Sequence, residues 1–141
     1  MNSRALQLQP AVNQARQRSE EALAKMAIQQ QLLAKAEHQL SELQRYRLEY
    51  ATASDGALTV GALLNRQRFV ERIDQAIAQQ SAETARLQRQ FELVRGRWHQ
   101  AHARESALAS VVERYHTQER EAESRHEQAE SDERMQYRRS R

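Results

Sequence analysis

From Leu63 onward the apolar residues Leu63, Val70, Ile73, Ile77, Leu87, Phe91, Val94, Trp98, Ala101, Leu108, Val112, Tyr115 and Ala122 keep one heptad frame. Such a three-and-four alternation places them on one seam of an α-helix, and a seam of that length must pack on another helix. Gly96 lies inside the run without shifting the frame, a helix glycine costing roughly 1 kcal/mol against Ala. A weaker seam precedes it: Val12, Ala15, Ala22, Met26, Leu33, Ala36, Leu40, Leu43 and Tyr50, interrupted by Ser19, Gln29 and Arg47. Between the two lies TASDGALTVG, the only glycine-rich stretch, which predicts a turn. Thr59 suits the N-cap of the second helix, with Leu58 and Leu63 spaced for a hydrophobic staple.

Two seams joined by a short turn predict an all-α fold, two long helices in an antiparallel coiled-coil hairpin. With 3 Gly and 1 Pro in 141 residues and aromatics at 5%, the buried surface must be spread thinly along helices, so one elongated unit is expected. Pro10 suits the first helical position, giving helix one at about 10–52, a turn at about 53–59 and helix two at about 60–130. The stretch from His116 to Arg134 is almost wholly polar, and RMQYRRSR closes the chain as a basic tail.

Packing large against small residues selects a register with Tyr50 opposite Leu63, Leu43 opposite Val70, Leu40 opposite Ile73, Met26 opposite Leu87, Ala22 opposite Phe91 and Ala15 opposite Trp98. It sets Arg47 beside Arg66 and Leu33 beside Gln80. The register one heptad away sets Phe91 against Gln29 and Ala15 against Glu105, and is disfavoured for burying polar groups. In the chosen register helix two outruns helix one beyond about residue 103, projecting by roughly 30 residues, on the order of 45 Å. Val111, Val112 and Tyr115 are then without an intramolecular partner, and the projection is either disordered, inserted into another protein or paired with a second copy.

The chain offers little to catalysis. Acidic and basic residues number 19 and 22 and are interleaved, a pattern of solvated helix faces. Glu20 with Glu21, or Glu119, Glu121 and Glu123, supply carboxylates without a cavity to shift their pKa values. His99 and His102 lie three apart but lack a third nearby ligand, so no metal or cofactor is expected. Cysteine is absent, which permits a reducing compartment, and no apolar run is long enough to span a bilayer. Arg134, Arg138, Arg139 and Arg141 around Tyr137 make a patch of non-specific anion affinity, and no nucleic-acid partner is expected.

Phe69, Ile73, Ala76 and Gln80, spaced four, three and four, run along one side of helix two. Ile73 and Gln80 belong to the seam, whereas Phe69 and Ala76 flank it, and Tyr46 takes the equivalent flank on helix one. A Tyr46–Phe69 pair either roofs the core near the turn or receives a partner.

QLSELQRYRLEY, followed after the turn by NRQRFVERIDQAI, resembles the flagellar export protein FliJ family, and the likeness extends to a late helix-two Trp at Trp98. The resemblance implies a non-enzymatic, stalk-like component of the bacterial flagellar type III export apparatus, similar to the shaft of rotary ATPases. Its implied partners are the export ATPase ring, the membrane export gate and substrate chaperones, and its implied location is the cytoplasmic side of the inner membrane, peripheral and not inserted. It further implies a gate contact at Phe69, Ile73, Ala76 and Gln80, although the last position can be His in relatives. By analogy with the shaft, Val111, Val112 and Tyr115 would face the ATPase ring. The alternatives are a structural or oligomerising coiled coil, the stalk of a virulence-type secretion system or, behind these, a nucleic-acid binder acting through the basic tail.

Overall fold

A computed structural model describes residues 3–52 and 59–140 and contains two helices, α1 at Arg4–Thr52 and α2 at Val60–Arg139. The two pack against each other as a hairpin, α2 is the longer, and no strand occurs among the described residues. Thr59 caps α2 as its residue type predicts: the Ala62 N–H donates to Thr59 Oγ1 at 3.2 Å, and the Leu63 N–H donates to the Thr59 carbonyl at 3.0 Å. The turn residues 53–58, including the staple residue Leu58, lie outside the described residues, as does Arg141. The basic tail up to Arg139 is helical, and α2 thus runs past the limit of about residue 130 read from the sequence.

Contacts divide the chain into two units, Ala22–Trp98 and Met1–Glu21 with His99–Arg141. Within the first, Leu33, Ala36 and Leu87 form a buried cluster with Phe91 packed against it. Gln80 Nε2 donates to the Ala36 carbonyl at 3.1 Å and to Gln39 Oε1 at 3.3 Å, and Arg47 pairs with Asp74. These partners correct the register: Leu87 sits with Leu33, not with Met26, and Arg47 meets Asp74, not Arg66. The helices therefore pack one heptad away from the arrangement that large-against-small matching selected.

The second unit supplies the reason. Helix α1 does not begin at Pro10 but at Arg4, with Pro10 inside it. Ser3 is the N-cap, its Oγ accepting from the Leu6 N–H at 3.3 Å and its carbonyl from the Gln7 N–H at 3.0 Å. Ala5, Val12 and Val112 form a buried cluster flanked by Leu8, Leu108 and Tyr115. In the register expected from the sequence Val112 and Tyr115 fall beyond the start of α1, whereas here Ala5 and Leu8 cover them. Burying each large aliphatic side chain contributes about 1.5–3 kcal/mol, enough to offset a proline within the helix at about 3 kcal/mol. The observed register also leaves Gln29 Oε1 and Thr84 Oγ1 buried without a hydrogen-bond partner, at about 1–3 kcal/mol each.

Two expectations change with the register. The free part of α2 begins after Glu119, the last of its residues that is not exposed, so roughly 20 residues project, on the order of 30 Å. Val112, at 8% exposure, is buried in the cluster with Ala5 and Val12, and Tyr115 packs against it, so neither lacks an intramolecular partner. Val111 is half-buried.

Candidate partner-binding surface

The residues nearest the turn are set by how α1 ends. Its last turn contains no basic side chain of its own, and α2 supplies one: Arg66 Nε donates to the Tyr50 carbonyl at 2.8 Å. A guanidinium at this position satisfies an orphan carbonyl and meets the negative end of the helix dipole. Tyr50 is thereby held over α2, where its ring lies 4.5 Å from that of Phe69 at 38°, a tilted pair.

This corrects the expected Tyr46–Phe69 pairing. With the register moved by a heptad, Tyr50 takes the place beside Phe69, and Tyr46 is exposed with the Arg45 guanidinium 6.0 Å from its ring centre. Tyr50 and Phe69 remain 42% and 41% exposed, so two helices jointly present an aromatic surface. Of the other residues in the stripe, Ile73 is buried in the seam, Ala76 is half-buried, and Gln80 is half-buried with its amide spent on α1. The stripe thus divides into one exposed ring and three residues turned largely toward packing.

Leu63 and Leu64 are exposed as well, although the heptad frame assigned Leu63 to the seam. In the observed register the α1 position that would cover Leu63 falls beyond Thr52, where α1 ends. Sequence reasoning missed Tyr50 as a surface residue for the same cause; the signal available was that shifting the pairing by a heptad separates Arg47 from Arg66.

At the start of α1 a different arrangement holds the helices together. Both Glu119 carboxylate oxygens accept from Ser3 Oγ at 2.8 Å, and Oε1 also accepts from the Ala5 N–H at 3.4 Å. The first turn of α1 contains no acidic residue, so the carboxylate at its positive end comes from α2. Arg4 lies over the Tyr115 ring at 5.8 Å and Ala5 is 1% exposed. The Ser3 hydrogen bond, helped by the Ala5 and Arg4 backbone and by His116, holds the Glu119 carboxyl below its ordinary range, against the opposing effect of desolvation.

A depressed carboxylate stabilises the fold above its unfolded-state value of about 4.3, and that stabilisation is lost as pH falls through the lower folded-state value. We therefore expect Glu119→Ala to speed amide exchange at Leu8 to Val12 several-fold at pH 7 and to abolish the acid-dependent rise in their exchange below about pH 4.3. Equal exchange in the two proteins at pH 7 would show that the carboxylate does not anchor the helix start.

Beyond Glu119, α2 is exposed throughout and carries pairs such as His126–Glu130 at 3.1 Å and Arg134–Glu130 at 3.6 Å, one helical turn apart. No group of three or more His, Cys, Asp or Glu side chains that could hold a metal occurs among the described residues. No helix among them is long and apolar enough to cross a membrane.

A hairpin with thin heptad seams, an aromatic pair exposed near the turn and an uncovered α2 end defines the class of antiparallel coiled-coil proteins. The chain belongs to the flagellar FliJ protein family, whose model matches residues 3–141, essentially its whole length. It is accordingly a component of the flagellar export apparatus. Comparisons with curated proteins and with solved structures return no match.

Proposed function

We propose that this protein is the non-enzymatic stalk-like component of the flagellar export apparatus, peripheral to the cytoplasmic face of the inner membrane, bridging the export ATPase ring and the export gate and engaging substrate chaperones. Its family membership over residues 3–141 is the observation that carries the reading. The gate contact is assigned to Phe69 with Ile73, Ala76 and Gln80, of which Phe69 supplies the exposed apolar area and the others set its position on α2. The ring contact is assigned to the uncovered α2 segment after Glu119, together with the outward edges of Val111 and Tyr115; Val112 contributes by holding α1 in place.

This division has a direct test. A chain ending after Glu119 keeps Ser3, Ala5, Val12 and Val112 in their observed contacts, whereas one ending at residue 110 would destroy them. In pull-downs against the export ATPase and the gate protein, the chain ending after Glu119 is expected to lose most ring association and to retain gate binding. Loss of gate binding first would refute the assignment of the two ends.

A further inference from the structure

Among the described residues two buried side-chain oxygens have no hydrogen-bond partner, Gln29 Oε1 and Thr84 Oγ1, and both lie on the seam of the Ala22–Trp98 unit. In the observed register Leu33 packs with Leu87, which places Gln29 near Phe91 and Thr84 near Ala36. Sliding α2 along α1 by one heptad, about 10.5 Å, brings Met26 opposite Leu87, and the same step brings Gln29 opposite Thr84. There the Thr84 hydroxyl can donate to Gln29 Oε1, so that each oxygen becomes the other's partner. In the observed register these two oxygens stand one repeat apart, each in a layer that gives it no partner.

A heptad slide keeps each seam facing the other, so the rest of the core is exchanged and not lost. Leu63, exposed here at 49%, moves opposite Tyr50, and Met26, Ala22 and Ala15 receive Leu87, Phe91 and Trp98. Against the slide stand the Arg47–Asp74 pair, which is replaced by Arg47 beside Arg66, and the bonds of Ser3 to Glu119.

We propose that the hairpin has a second packing register, one heptad from the observed one, in which Gln29 and Thr84 share a layer and bond to each other. The Ser3–Glu119 attachment and the Arg47–Asp74 pair hold the observed register. In the second register Val112 and Tyr115 lose the cover of Ala5 and Leu8, and Leu63 gains that of Tyr50. This second register goes beyond the export role and does not depend on it.

The sequence has no cysteine, so paired substitutions report register directly. Met26→Cys with Leu87→Cys lie too far apart to join in the observed register and are opposed in the second; Leu33→Cys with Leu87→Cys is the converse. Leu40→Cys with Leu87→Cys is displaced a heptad the other way and reports fraying. In the dilute full-length protein, with helix content verified by circular dichroism, the Met26 pair is expected to form an intramolecular disulfide at least tenfold faster than the Leu40 pair. Glu119→Ala should raise that rate several-fold, and Thr84→Val should lower it several-fold by removing the hydroxyl that the second register uses. A Met26 pair no faster than the Leu40 pair, or one indifferent to Thr84→Val, overturns the proposal.

Discussion

Phe69→Ala is expected to reduce binding to the export gate protein by at least tenfold while leaving helix content within a few per cent of the parent. The argument rests on where the ring stands. Phe69 is 41% exposed and touches α1 through the Tyr50 ring, a contact whose loss costs the fold only about 0.5–1.5 kcal/mol. A partner that buried the exposed part would lose a large aromatic anchor, and such anchors dominate interface energies at about 2 kcal/mol or more. Circular dichroism separates the two effects, and titration calorimetry measures the binding. Undiminished affinity would show that the Tyr50–Phe69 pair only covers the seam.

The second large effect is on stability. Leu87→Ala should cost about 2–3 kcal/mol, at the lower end of the range for buried Leu truncation, because the surrounding cluster is small and can partly close. Leu87 packs with Leu33, Ala36 and Phe91 in a buried cluster of the Ala22–Trp98 unit, and Gln80 bonds to the Ala36 carbonyl beside it. Urea unfolding followed at 222 nm should show a lower midpoint with a similar slope. Leu93→Ala, on the exposed side of the same helix, is the matched control and should change stability by less than about 0.5 kcal/mol.

The heptad seams, the hairpin and the cap at Thr59 were legible in the sequence because each depends on residues within a turn or two of one another. Register was not. It is decided by the total over both helices, and one misplaced boundary at Pro10 removed Ala5 and Leu8 from the comparison and with them the layers that favour the observed pairing. The same error made Val112 and Tyr115 look unpartnered and set Tyr46, not Tyr50, beside Phe69. The proline ring suits a helix start, yet the Glu119 carboxylate that helps hold an earlier start is 116 positions from Ser3 and invisible to any local rule. Phe69 as an exposed flank residue survived the change, since its side of α2 does not depend on which residue of α1 lies opposite.

The Ser3–Glu119 bond also orders events in time. Closing a loop of 116 residues costs more chain entropy than closing the shorter loop that joins Leu33 to Leu87, and the difference favours pairing from the turn outward. The helix start would then be the last part to zip and the first to peel, and disrupting it would accelerate unfolding while leaving the folding rate nearly untouched. A chain built this way brings Leu33 and Leu87 together before its N-terminal cap can find the carboxylate that completes it.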